Sequence, residues 1–237
     1  MLFRSARHAH ALLSGCRGHL HADGYAGFGR LYDPDAKTGA AAPLIEVACW
    51  SHARRKLYDI HVSTRSPAAL RALELIGDLF AIEADVRGRA PAARRRARVE
   101  RSVPVLAELK AHLDVTLAKI SGKTPFATAI RYTTSRWTAL TRLIEDGRLE
   151  LSNNAAERAI RPLTLGRKNY LFAGSDKGGR RAAILYSLIG TARLNGIDPQ
   201  AWLTDVIARI ADHPSKRIDD LLPWSWASTQ PRQSQAA

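Results

Sequence analysis

One short run of the sequence predicts a buried strand: Leu44-Ile45-Glu46-Val47-Ala48-Cys49-Trp50. The run is mostly apolar and contains β-branched residues, which favour extended backbone over helix. A basic stretch, residues 52–56, follows it, and Ser51 is a suitable N-cap for a helix that contains this stretch. The sequence therefore predicts a strand that leads directly into a helix.

A second short strand is predicted upstream, at His19-Leu20-His21-Ala22. Residues of different polarity alternate there, and the pattern ends at Asp23-Gly24, a dipeptide typical of turns. Because an unpaired strand edge is an aggregation hazard, we expect the two strands to be neighbours in one sheet. Residues 1–17 show no clear periodicity and are predicted to be an unstructured leader.

Helical periodicity dominates the rest of the chain. Apolar residues recur every three or four positions between Pro67 and Ile144, which predicts several helices. A basic block in this region, residues 94–98, is predicted to be a solvated helix face. Further helices are predicted at residues 155–161, from about residue 182 to 195, and from residue 199 to about 212, with Gly196 ending one and Asp198 capping the next.

Charge is the strongest signal in the composition. Lys and Arg total 36 against 22 Asp and Glu, a formal net charge of +14. Such an excess attracts polyanions, with nucleic acid the commonest partner and anionic membrane the second. Two cysteines make no disulfide framework, and no apolar run approaches the ~20 residues that span a bilayer. We therefore expect a cytoplasmic protein without membrane contact.

Four residues are candidates for chemistry, and each has an ordinary structural alternative. Asp23 ends a strand, where carboxylates often bind metal, but it also suits a common Asp-Gly turn. Glu157 is a second candidate carboxylate, or it complements the dipole at the start of its helix. Cys49 and His52 have the spacing of metal ligands, but a zinc site needs about four, so a buried cysteine beside a hydrogen-bonded histidine is the alternative.

A glycine- and arginine-rich segment, residues 166–181, is predicted to be a loop that binds DNA phosphates. Its aromatic residues can stack on bases, whereas the alternative is a flexible solvated loop. The segment lacks the spacing of a nucleotide-binding P-loop. The predicted DNA-binding residues are Arg158, Arg161, Arg167, Lys168, Tyr170, Lys177, Arg180 and Arg181. The first two lie in the Glu157 helix, and their alternative role is to form ion pairs with Glu157.

Six motifs follow one another along the chain, and they are spread over nearly all of residues 18–226. They are His21-Ala22-Asp23-Gly24-Tyr25-Ala26-Gly27-Phe28, Cys49-Trp50-Ser51-His52-Ala53-Arg54-Arg55-Lys56, Asn153-Asn154-Ala155-Ala156-Glu157-Arg158-Ala159-Ile160-Arg161-Pro162, Gly166-Arg167-Lys168-Asn169-Tyr170-Leu171-Phe172-Ala173-Gly174-Ser175, Asn195-Gly196-Ile197-Asp198-Pro199 and Leu221-Leu222-Pro223-Trp224. Together they resemble the signatures of bacterial insertion-sequence transposases of the insertion-sequence-66 type.

This resemblance implies an RNase H-like catalytic domain with an Asp-Asp-Glu triad. Asp23 matches the second Asp of the triad and Glu157 matches the Glu. Cys49 and His52 match a C-x-x-H feature between the two acids, which we expect to be a structural pair near the site. The resemblance also implies two Mg²⁺ or Mn²⁺ ions, which support the cutting and joining of DNA by phosphoryl transfer.

The first Asp of the family's triad has no counterpart in this sequence. Only 22 residues precede Asp23, and none of them is Asp or Glu. The chain therefore resembles the C-terminal half of a transposase, for which we expect weak or absent metal binding and no activity alone. The expected partners are DNA at transposon ends and either the missing N-terminal half or an intact transposase copy.

Two other functions stay open at this point. The chain is alternatively a non-catalytic DNA-binding remnant that pairs with or inhibits an intact transposase, or a leftover without a role. The expected fold is mainly α with a small β part, a truncated RNase H-like α/β domain with an all-helical insertion. Its expected parts are a core remnant at 18–63, the insertion at 64–150, the C-terminal part of the core at 151–226 and a disordered tail at 227–237.

Overall fold

The structure, a computed structural model, describes residues 6–34, 42–166 and 174–229. It divides into two units, Met1–Ala155 and Ala156–Ala237, called here the first and second units. The described part of the first unit is built from two strands, seven α-helices and three irregular helical turns. These are α1 (Ala6–Leu12), β1 (Gly18–Ala22), a 3-10 turn (Ala26–Leu31), β2 (Leu44–Ala48), α2 (Trp50–Thr64), α3 (Pro67–Asp85), α4 (Pro91–Ala97), a π-helical turn (Arg98–Ser102), α5 (Val103–Lys119), α6 (Pro125–Ser135), α7 (Trp137–Thr141) and a second 3-10 turn (Arg142–Ile144).

The two predicted strands form a parallel two-stranded sheet. Their register runs from Gly18 opposite Leu44 to Ala22 opposite Ala48, so both strands end at the same edge. The prediction that the strands are neighbours is confirmed, and so is the mainly helical fold class with a small β part. Parallel strands need a crossover connection, and residues 23–43 separate these two strands in the sequence.

The second strand ends two residues earlier than predicted. Cys49 has extended backbone and is the N-cap of α2, whose first residue is Trp50. The prediction of Ser51 as the cap is therefore wrong. Trp50 is fully buried, and its indole Nε1 donates to the Leu140 carbonyl at 2.9 Å, which fixes the helix start one residue before Ser51.

One core holds the first unit together. It includes Trp50 and Leu57 of α2, Ile76 of α3, Leu113 of α5 and Ile130 of α6, all with almost no exposed surface. The ring of Trp50 also meets that of Trp137 edge to face, with 5.8 Å between centroids. The segments predicted as a core remnant (18–63) and a helical insertion (64–150) both contribute residues to this core.

The second unit has a small core of its own. Helix α8 (Asn154–Gly166) begins at the unit boundary, with Pro162 inside it, and α9 (Asp176–Leu194), α10 (Pro199–Arg209), a 3-10 turn (Ser215–Leu221) and α11 (Pro223–Thr229) follow. Trp202 is buried there, and its Nε1 donates to the Leu221 carbonyl at 2.9 Å. Gly196 has a φ of +70° after α9 and Asp198 caps α10, as predicted.

Three predicted boundaries are corrected by the structure. Residues 6–12 of the expected leader form α1, and residues 227–229 of the expected tail continue α11; residues 230–237 lie outside the described ranges. Helix α9 begins at Asp176 rather than near residue 182, because the Ser175 hydroxyl accepts a hydrogen bond from the Gly178 N–H at 3.0 Å and caps it. None of the helices in the described ranges is both long and apolar enough to cross a membrane.

Candidate functional site

Asp23 lies directly after β1, at the edge where both parallel strands end. The residue is exposed, and its Oδ1 accepts a hydrogen bond from the Tyr25 N–H at 3.0 Å. Gly24 follows with a φ of +80°, a left-handed conformation that favours glycine. Ligands of α/β proteins commonly bind at the carboxyl ends of parallel strands, so the position suits a functional carboxylate as well as a turn.

Helix α6 holds the Asp23 turn in place. The Tyr132 hydroxyl donates to the Asp23 carbonyl at 3.0 Å, and Arg136 Nη2 donates to the Gly24 carbonyl at 3.5 Å. A Cβ on Gly24 would lie 2.8 Å from Arg136 Nε, so the arginine also uses the space that glycine leaves. No local sequence pattern predicts the contacts of Tyr132 and Arg136, because more than 100 residues separate them from the turn.

Burial and nearby charge keep the Tyr132 hydroxyl protonated. Burial raises the pKa of Tyr132, and the charges of Cys49, Asp23 and Glu46 raise it further, which outweighs the opposing effect of Arg136. Burial together with the charges of Glu46 and Asp23 likewise raises the pKa of Tyr32 to about 12. Burial is therefore the main reason that both phenols stay protonated.

Replacing Tyr132 with phenylalanine is expected to lower the free energy of unfolding by about 0.5–1 kcal/mol, since one hydrogen bond to the Asp23 carbonyl is lost while the ring stays. Urea unfolding followed by circular dichroism measures the change. Tyr58→Phe on α2 is the matched control and should change stability by less than about 0.5 kcal/mol, because Tyr58 is exposed. Equal effects of the two substitutions would contradict the role of the Tyr132 hydroxyl.

Cys49 connects the end of β2 to the segment that precedes α8. Its side chain is buried, and Sγ accepts a hydrogen bond from the Asn153 N–H at 3.5 Å. The Trp50 N–H donates to the Leu151 carbonyl at 3.1 Å, which adds a second link between the same two segments. His52 lies in the first turn of α2, and its Nδ1 is buried without a hydrogen-bond partner in the described structure. Whether Cys49 and His52 act as a structural pair stays a prediction.

Glu157 lies in the first turn of α8, as predicted, and is exposed together with Arg158 and Arg161. Asp23 belongs to the first unit and Glu157 to the second. A carboxylate in the first turn complements the positive end of the helix dipole.

The predicted DNA-binding loop is in part a helix. Arg167, Lys168 and Tyr170 lie outside the described residues. Lys177, Arg180 and Arg181 belong to α9 and are exposed, so their placement in a loop is wrong. Spacings of three and four residues bring these three side chains to one face of the helix, which forms a positive surface.

Divalent metals serve the catalysis of DDE transposases generally. Magnesium prefers several hard oxygen ligands, and a two-metal site needs carboxylates that converge on one place. Among the residues that the structure describes, no group of three His, Cys, Asp or Glu side chains is placed to hold a metal ion. Asp23 supplies one exposed carboxylate, so the described donor set does not by itself complete such a site.

Comparison with known proteins places these features in a family. The model of the Transposase IS66 family matches residues 3–181, and that of the IS66 C-terminal element matches residues 187–224. The chain is 42% identical over 222 residues to the uncharacterized protein y4qI of Sinorhizobium fredii, covering 93% of this chain and 40% of y4qI. It is 39% identical over 229 residues to the uncharacterized protein y4jD of the same species, covering 96% of this chain and 45% of y4jD.

The chain spans less than half the length of y4qI and of y4jD. No solved structure matches it at a significant level. The resemblance of the six motifs is confirmed, because the first family model alone matches most of the sequence. This protein belongs to the Transposase IS66 family.

Proposed function

We propose that this chain is the part of a DDE transposase that carries two of its three catalytic carboxylates, Asp23 and Glu157. The whole protein would cut and join DNA at transposon ends, with an RNase H-like catalytic domain. The observation that carries the proposal is Asp23 itself, an exposed carboxylate at the carboxyl edge of parallel strands in a chain of this family. Glu157, in the first turn of α8, matches the family's Glu.

The first carboxylate of the triad would lie in a segment outside this sequence. No residue before Asp23 is Asp or Glu, and the relatives are more than twice as long as the part that this chain matches. We propose that the upstream part of such a protein, or an intact transposase copy, supplies this carboxylate. The chain alone would then bind Mg²⁺ weakly and cleave no DNA, because one carboxylate fewer leaves the charge of two metal ions poorly compensated.

A reconstitution experiment tests this function. The purified chain is mixed with duplex DNA that carries the transposon ends and with Mg²⁺, with or without a polypeptide that supplies the upstream part of the family protein. We expect strand cleavage only in the complete mixture, measured on denaturing gels. Asp23→Asn and Glu157→Gln should each abolish the cleavage, because both remove a carboxylate of the triad.

Asp33→Asn is the matched control, since Asp33 is an exposed carboxylate ten residues from Asp23 that lies outside the triad. It should leave cleavage unchanged. Cleavage by the chain alone that disappears with Glu157→Gln would contradict the assignment of a missing first Asp. Cleavage by the complete mixture that survives both substitutions would overturn the two site residues.

A second candidate function is DNA binding without cleavage, as a remnant that pairs with an intact transposase. The positive face of α9, formed by Lys177, Arg180 and Arg181, and the net charge of +14 favour it. The reconstitution separates the two functions when a reaction of an intact transposase is added to it. A pure DNA-binding protein gives no cleavage with the upstream part and lowers the cleavage by the intact transposase.

A further inference from the structure

Two cationic side chains lie beside the Asp23 turn, and both contact the same aromatic ring. Lys56 Nζ of α2 lies 4.5 Å from the centre of the Tyr132 ring, and Arg136 Cζ of α6 lies 4.4 Å from it. The hydroxyl of the same tyrosine donates to the Asp23 carbonyl. Lys56 is exposed and Arg136 is half-buried, so the ring arranges both charges while solvent still reaches them.

Neither cation has a carboxylate partner among the described residues. The ion pairs within 4.0 Å include neither Lys56 nor Arg136, although the neighbouring Arg55 pairs with Asp59 at 3.1 Å. Asp23 and Glu46 act on the Tyr132 hydroxyl by their charge, but neither reaches ion-pair distance of Lys56 or Arg136. Two like charges on one ring repel each other, and bound anions would relieve this repulsion.

We propose that Lys56 and Arg136 bind neighbouring backbone phosphates of duplex DNA next to Asp23, with the Tyr132 ring holding the two side chains in position. This inference rests on the proposed function, which makes DNA the substrate of the Asp23 site. An arginine supplies paired N–H donors to phosphate oxygens and a lysine supplies a compact charge, which is a common division of roles in phosphate binding. The bound phosphates would fix the register of the duplex relative to the carboxylate.

Matched double variants test the site. The affinity for a fluorescein-labelled duplex oligonucleotide is measured by anisotropy at several salt concentrations. Lys56→Gln with Arg136→Gln should reduce the slope of log affinity against log salt by about two, because each phosphate contact contributes about 0.9. Arg55→Gln with Arg131→Gln removes the same charge from the same two helices, where Arg131 donates to the Gly122 carbonyl, and should change the slope by less than one contact.

A footprint of the unmodified chain gives a second readout that does not depend on the folding of a variant. Acetylation by an amine-reactive reagent, followed by mass spectrometry, is compared with and without the duplex. Lys56 should be protected by DNA, whereas the exposed Lys119 of α5 should stay reactive. Equal slopes for the two double variants, or unchanged reactivity of Lys56, would overturn the phosphate site while DNA binding and the proposed function stand. A chain that binds no duplex would contradict both.

Discussion

Replacing Arg98 with alanine is expected to lower the free energy of unfolding of the first unit by about 3–5 kcal/mol. The side chain is fully buried, and all five of its N–H donors are used. Nε and Nη2 donate to the Glu83 carboxylate at 2.9 and 2.7 Å. The remaining bonds reach three carbonyls of the segment before α8, those of Leu143, Asp146 and Leu149. Alanine would leave these groups without the donor that compensates their burial.

Arg96→Ala is the control, because Arg96 lies in the same basic block but is exposed. It should change the free energy of unfolding by less than about 0.5 kcal/mol in urea titrations followed by circular dichroism. Similar losses for the two variants would show that helix propensity or net charge, rather than the buried network, controls stability in this segment.

The pH dependence of the free energy of unfolding gives an independent measure of the same network. Burial by itself would raise the pKa of Glu83, but the hydrogen bonds and charges of Arg98 and Arg94 outweigh it and lower the pKa below 4.5. A carboxylate with a lowered pKa in the folded state contributes stability that is present above the pKa of the unfolded chain and is lost as the pH falls through the folded pKa. The wild-type chain should therefore lose more stability below about pH 4.5 than Arg98→Ala does.

The same network shows what local sequence patterns can and cannot predict. The prediction of a solvated face at residues 94–98 rests on the usual behaviour of arginine runs. It is wrong for two of the four arginines in this block. Arg94 and Arg98 are instead largely buried around Glu83. Glu83 lies 15 residues before Arg98 and the accepting carbonyls lie 45–51 residues after it, so no helical or strand period connects them. Hydrophobic periodicity, by contrast, predicts that this region is helical, and the structure confirms it, although the segment expected as one helix from Phe126 to Ile144 is divided into α6, α7 and a 3-10 turn.

In the candidate site too, features with a local sequence pattern are predicted and contacts between distant residues are not. Local patterns predict the position of Asp23 after a strand and of Glu157 in the first turn of a helix, and the structure has both. The predicted position of Lys177 is wrong, because Gly178 and Gly179 suggest a loop although the Ser175 cap starts a helix ahead of them. Tyr132 and Arg136 carry no local signal, since only the packing of α6 brings them to the Asp23 turn.

Replacing Gly147 with alanine is expected to lower the free energy of unfolding by about 3 kcal/mol, near the upper end of the usual range for overpacking. Gly147 is buried next to Pro91, and a Cβ at this position would overlap the Pro91 carbonyl. A backbone oxygen cannot rotate away as a side chain can, so either the start of α4 or the turn at Gly147 must shift. That turn also supplies the Asp146 carbonyl to Arg98, so a shift disturbs the buried network as well.

Gly77→Ala is the control with an expected effect of opposite sign. Gly77 lies inside α3, and a Cβ added to it would meet no other atom within 4 Å, so alanine should raise the free energy of unfolding by about 0.5–1 kcal/mol. Urea titrations of the two variants decide the matter, and a Gly147→Ala variant as stable as wild type would show that the turn adapts without cost. A loss of the expected size would instead mean that close packing of backbone on backbone holds the turn. The turn lies six residues before Asn153, whose N–H donates to Cys49 Sγ just before α8 begins.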